Sequence, residues 1–251
     1  MSINFVANVI ITGRLRCLTG LHIGATERGG ELGLTDNPVI RDPAGEYPYV
    51  PGSSLRGRLR SLLAQVGGEA GAATVARIFG SAAQRPGGGP AGPTRLHVRD
   101  GFATDETRKL MDRLVREKGL PHVEIKAETA LNRITGEASP RWLERVPAGC
   151  EFDFSMLYSV YEVEGDKLAD IKGVGEVLRG LRLLEDSGLG GGVSRGSGQV
   201  AVSVMSVPVV RDARSYLEVR EPPPPAGPVP VSRLDAGAYL NTIASALNVA
   251  L

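Results

Sequence analysis

The sequence predicts an α+β domain of the ferredoxin-like class, enlarged by insertions, and three observations predict it. Apolar and polar residues alternate over residues 8 to 18, 151 to 163 and 199 to 207, the period of a half-buried strand. Apolar residues recur at helical spacing over 51 to 66 and 169 to 185. The 33 glycines and 17 prolines among 251 residues gather in the segments between, a content that excludes a plain helical bundle.

Taken in chain order, the first strand places Val9, Ile11, Leu15 and Cys17 on one side and Thr12, Arg14 and Arg16 on the other. Residues 24 to 50 then read as a long loop. PGSSLRGRLRSLLAQVGG predicts a helix with Leu55, Leu59, Leu62, Leu63 and Val66 on one face, capped by Ser53 or Ser54 and stopped by Gly67-Gly68. Residues 84 to 93 form a low-complexity, flexible insertion, followed by a short apolar-bearing run, TRLHVRDGF. A helix over 105 to 118 brings Leu110, Met111, Leu114 and Val115 together. Residues 121 to 147 are polar and irregular and predict an extended arm, the kind of long excursion that often carries function. A strand over 151 to 163 and a helix over 169 to 185 complete the pattern, joined to a last strand by GLGGGVSRGSG. One domain over residues 1 to 210 is therefore expected, with 211 to 251 as a proline-rich linker and tail.

With 29 basic residues against 28 acidic, net charge gives no field to attract a polyanion, which local basic clusters would have to hold. No apolar run reaches the about 18 to 20 residues a bilayer span needs, and the first residues have no charged leader, so no membrane contact and a cytoplasmic location are expected. Cys17, Cys150, His22, His97 and His122 are too scattered for a zinc site or a disulfide framework.

Four features can carry chemistry. In the loop 188 to 198, Gly190, Gly191, Gly192 and Gly196 let backbone amides approach a phosphate, while Ser194 and Arg195 add donors. Its pattern is not a nucleotide-hydrolysing P-loop. Arg56, Arg58 and Arg60 stand in the first turns of a helix, beside amides open to anions, where they oppose the macrodipole. His22 is a candidate ribose or phosphate contact. Asp36 can bind a divalent cation or take a proton from a ribose hydroxyl. Each keeps an ordinary alternative on residues alone: a tight connection, a solvated arginine face, a structural histidine, an Asx turn before Pro38.

TGLHIG (19 to 24), D-x-PVIRDP (36 to 43), PGSSLRGRLRSLL (51 to 63), HVRDGF (97 to 102), EIKAETALNRITGEASPR (124 to 141) and GLRLLEDSGLGGGVSRGSGQV (180 to 200) together resemble, in order, the RAMP-superfamily backbone subunits of type III-A CRISPR effector complexes. The resemblance implies an RRM-like core, a thumb-like arm, and copies of the chain stacked head-to-tail along a guide RNA (crRNA) beside the other type III effector subunits. It implies that Ser53, Ser54, Arg56, Arg58, Ser194 and Arg195 hold the guide backbone, with His22 a further RNA contact. The arm, with Glu124, Lys126, Asn132, Arg133 and Arg141, would wedge between guide and target RNA. Asp36 would be the cutting residue and ligand of a divalent metal, Mg2+, in cleavage of target RNA by the 2′-hydroxyl. A non-catalytic scaffold, a crRNA-processing ribonuclease and an unrelated phosphate-binding enzyme are the alternatives.

Overall fold

In the computed structural model, which describes residues 2–25, 37–80, 93–119, 121–218 and 227–251, the spine is β1 (Ile3–Cys17). Ala7, Val9, Ile11, Leu15 and Cys17 point to one face and are buried, as the alternation predicts. α1 (Gly52–Phe79) follows, then β2 (Leu96–Val98), β3 (Phe102–Ala103) and α2 (Asp105–Lys118). β4 (Glu124–Leu131) and β5 (Ala138–Arg145) form a separate two-stranded sheet, and β6 (Glu151–Val163) returns to the main one. α3 (Leu168–Ser187), β7 (Val200–Met205), β8 (Val209–Asp212), α4 (Ala213–Leu217), β9 (Pro228–Pro230) and α5 (Ala236–Ala246) complete the chain.

The antiparallel sheet runs β2-β6-β1-β7-β9, with β3 also on β6 and β8 also on β1. Its core, β1-α1-β2-β6-α3-β7 with spatial order β7-β1-β6-β2, is the ferredoxin-like arrangement. The arm and α2 interrupt the connection from the second to the third core strand. α1 and α3 cover the buried face and touch each other at Gly180, where a Cβ would stand 3.3 Å from Leu59 and Leu63. On the other face Arg14 and Arg16 are exposed and pair with Asp153 and Glu151 across β6.

Four local expectations are corrected. The first helical stretch of α1 does end at Gly68 (φ 54°, ψ −148°), but an unexpected second stretch follows and runs to Phe79, because Val75, Ile78 and Phe79 bury there. Val66, at the break, is 52% exposed instead of joining the core. Neither Ser53 nor Ser54 caps α1: Pro51 holds the cap position, and the Asp100 carboxylate accepts from the Gly52 amide at 2.7 Å. The arm is a regular β-ribbon, not an irregular excursion, paired from Glu124↔Arg145 to Leu131↔Ala138.

Beyond residue 210 the described tail is built into the same domain. β9 extends the sheet, and α5, capped by Asp235, buries Tyr239, Ile243 and Ala244 beside α3. Asp170, fully buried, ties the two main helices to the sheet by pairing with Arg77 and accepting from Arg95 and the Tyr161 amide.

Candidate nucleic-acid interface

The glycine-rich loop is a folded clasp. Leu189 N donates to Gly198 O (2.8 Å), closing the loop on itself, and Gly198 N donates to Gly20 O (2.9 Å). Gly191 N donates to His22 O (2.8 Å), so the loop lies directly against the chain leaving β1. Gly190 has φ +79°, and a Cβ there would stand 2.2 Å from the His22 carbonyl oxygen, so only glycine fits. Residues 193 to 195 form a 3-10 turn between Gly192 and Gly196, both left-handed, which leaves Ser194 and Arg195 exposed. The sequence motif therefore marks a rigid support with a projecting arginine.

Two of the helix arginines turn inward. Arg58 donates from Nε to Gly188 O (2.9 Å) and from Nη2 to Ser187 O (2.6 Å), capping α3 and bracing the glycine-rich loop. Arg56 donates to the carbonyls of Leu96 and Phe79 and lies over the Phe79 ring. Ser53 and Arg60 face solvent and Ser54 is half-buried. Position in the first turns, read from sequence as a phosphate site, also serves to satisfy orphan carbonyls at the ends of the two helical elements.

The arm's root is joined to the loop by charge. Strand period two puts Glu124, Lys126 and Glu128 of β4 on the face that also carries Arg141 and Arg145 of β5. Arg145 pairs with Glu124 (2.6 Å) and donates to Ser197 Oγ (3.3 Å). Lys126 pairs with Glu128 (2.9 Å) and donates to the Arg195 carbonyl (3.2 Å), and Arg195 pairs with Glu128 (3.2 Å). Lys126, with Arg195 behind it, holds the Glu128 carboxyl below its ordinary range against the opposing effect of burial. Lys126, Ser194 and Arg195 are thus brought together; Arg141, exposed, stands opposite Glu128 in register, and Arg133 is exposed at the ribbon's tip. At the tip Asn132 Oδ1 accepts from the amides of Ile134 and Thr135, and Ile134 is 95% exposed.

The other side of the root moors the loop after β1. His22 Nδ1 lies 2.8 Å from Glu144 O, and the buried Glu144 carboxylate accepts from Val39 N (2.9 Å) and Arg41 (2.9 Å). Glu144 N donates to Asn37 O at 3.3 Å. Asp36 lies outside the described residues, as do Gly29, Gly30, Gly33 and residues 81 to 92 of the insertion. Among the described residues no group of three or more His, Cys, Asp or Glu is arranged to hold a metal ion. Cys17 and Cys150 are core thiols, Cys150 pushed up to about 12 by burial. No helix among the described residues is long and apolar enough to cross a membrane.

Sequence reasoning missed Glu128, Arg145, Ser197 and Glu144. The alternation of charge at Glu124, Lys126 and Glu128 was the available signal, since it has meaning only on a strand, and residues 121 to 147 read as irregular.

The RAMP superfamily model matches residues 14–201. The CRISPR system Cms endoribonuclease Csm3 of Methanothermobacter thermautotrophicus is 44% identical over 215 residues, covering 78% of this chain and 84% of that protein. The protein of the same description from Enterococcus italicus is 34% identical over 212 residues, covering 81% and 94%. The crystal structure of Methanopyrus kandleri Csm3 superposes with a TM-score of 0.59 at 21% identity over 98% of each chain. A chain of the Csm3-Csm4 subcomplex of a type III-A interference complex gives 0.56 at 23%, over 98% of this chain and 97% of that one, and these two likenesses speak to the fold.

Proposed function

This chain belongs to the RAMP superfamily and within it to the family of the Csm3 endoribonucleases, and from that premise we propose that it is the crRNA-binding, target-cutting backbone subunit of a type III CRISPR effector complex. The observation that carries the reading is the junction of arm and glycine-rich loop, where Lys126, Ser194 and Arg195 meet on a rigid support. Donors fixed on a preformed surface suit a repeating phosphate backbone, while the target's sequence is read by guide pairing. Copies set head-to-tail, in a contact that does not close, track such a guide. The arm, tipped by the exposed Ile134 between Arg133 and Thr135, has the form of an apolar wedge that unstacks one step of the guide–target duplex at each copy.

Cutting is assigned to Asp36. The 2′-oxygen beside the displaced nucleotide forms the new bond to phosphorus and the P–O5′ bond breaks, leaving a cyclic phosphate and a 5′-hydroxyl that takes up a proton. Asp36 takes the 2′-hydroxyl proton or orients that oxygen in line. Asp36 would hold a divalent cation such as Mg2+, which would supply charge neutralisation at the reacting phosphate. The cytoplasm, with the other type III subunits, is where we place this work. In a reconstituted complex Asp36→Ala should abolish target cutting and leave guide binding intact, and chelation should act likewise. Undiminished cutting by the Asp36→Ala complex would remove Asp36 from the mechanism.

A further inference from the structure

Glu128 has the wrong sign for a nucleic-acid site, yet it stands at the centre of this one. Its Oε1 lies 2.9 Å from Lys126 Nζ and its Oε2 3.2 Å from Arg195 Nε, so one carboxylate bridges two cations. Oε1 is shielded from solvent and paired by charge without hydrogen-bond alignment. The side chains of Lys126 and Glu128 are 29% and 24% exposed, while that of Arg195 is 63% exposed. An oxygen pair bound by an ammonium and a guanidinium is the arrangement a backbone phosphate makes with the same two groups. A phosphate brought beside an unmoved Glu128 would meet like charge at close range.

We propose that Glu128 stands in for an RNA phosphate in the unloaded chain, and that RNA binding passes Lys126 and Arg195 from the carboxylate to the phosphate. The proposal rests on the reading of this junction as a guide-backbone site. Two features make the exchange feasible. Arg195, 63% exposed, gives up its pair with Glu128 at little cost, because ion pairs open to solvent are worth little. Arg145, held by Glu124 and by Ser197 at the arm's root, keeps the arm attached while the Glu128 contacts are released. Asp170 shows the contrast: fully buried between Arg77 and Arg95, it is a fixed structural carboxylate.

The test uses the full chain and a fluorescein-labelled single-stranded RNA of guide length, with binding followed by anisotropy across a salt series and thermal melting measured in parallel. Glu128→Gln keeps the shape and removes the charge. It should bind RNA about two- to fivefold tighter than wild type while melting slightly lower, because the free protein loses its ion pairs. A residue that only organises the site would move both quantities downward. Equal or weaker RNA binding by Glu128→Gln therefore overturns the proposal. Glu128→Asp, which withdraws the carboxylate by one methylene, is the second variant and should also bind tighter than wild type; unchanged or weaker binding counts against the exchange. The Lys126→Ala/Arg195→Ala double variant separates the two levels. Loss of both phosphate contacts should lower the slope of log affinity against log salt by about 1.4. Wild-type binding by that double variant would defeat the guide-site reading itself, whatever Glu128→Gln does.

Discussion

Replacing Gly190 by alanine should destabilise the chain far more than replacing Gly196, although both residues have almost the same positive φ. Gly190 has φ +79° and Gly196 φ +80°, so a Cβ costs each about 1–2 kcal/mol of left-handed strain. At Gly196 the new methyl meets nothing within 4 Å, and the strain is the whole effect. At Gly190 it would stand 2.2 Å from the His22 carbonyl oxygen, and neither backbone can yield without moving the loop off the end of β1. That movement gives up the Gly191 to His22 bond of 2.8 Å, about 1 kcal/mol, and adds overpacking strain of about 1–3 kcal/mol. Gly190→Ala is expected to cost about 3–6 kcal/mol in total and Gly196→Ala about 1–2. Urea unfolding of both variants against wild type measures the difference, which should also appear as a melting point lower by several degrees. Equal destabilisation of the two variants within about 0.5 kcal/mol would refute the view that the glycine-rich loop is a clasp against His22.

Three further outcomes follow from the same geometry. Arg58→Ala should lower stability by about 2–4 kcal/mol, because two carbonyls at the end of α3 lose a charged donor, and should leave the salt dependence of RNA binding unchanged. A shallower salt slope in Arg58→Ala would make Arg58 a phosphate contact instead of a brace. Ile134→Glu, at a position 95% exposed, should leave melting unchanged but reduce target cutting in an assembled complex; unchanged cutting would argue against the wedge. The Glu128 carboxyl titrates below its ordinary range when folded, so it adds stability above the unfolded-state value, and that stability is lost as pH falls through the folded one. Wild type and Glu128→Gln should therefore differ in stability at neutral pH and converge in acid, and a gap that persists in acid would contradict the ion-pair account.

The ferredoxin-like core was legible because each of its main strands and helices buries one face. Val9, Ile11 and Leu15, or Ile171, Val174 and Leu178, repeat at the period of the element that holds them. Legibility failed where a residue's role depends on a partner far away in sequence. Gly67-Gly68 reads as a stop, and nothing local reveals that Val75, Ile78 and Phe79 have a core to return to. The arm pairs with itself rather than against a hydrophobic layer, so its strands lack the apolar alternation that marks β1 and β6. The bracing role of Arg56 and Arg58 was hidden because their carbonyl partners lie 23 to 130 residues away. Glu128 was passed over for the complementary reason: its meaning comes from Arg195, 67 residues later. The clustering of Lys126, Ser194 and Arg195 needed the fold.

The central claim is that this chain holds a guide RNA along the surface built by α1, the glycine-rich loop and the arm. Its most direct test is to purify the chain from cells carrying a CRISPR array, together with a Lys126→Ala/Arg195→Ala version, and to sequence any nucleic acid that comes with it. RNA of discrete length carrying repeat-derived sequence is expected on the wild-type protein, and markedly less on the double variant. A nucleic-acid-free monomer, or RNA of random length and origin held equally by both, would contradict it.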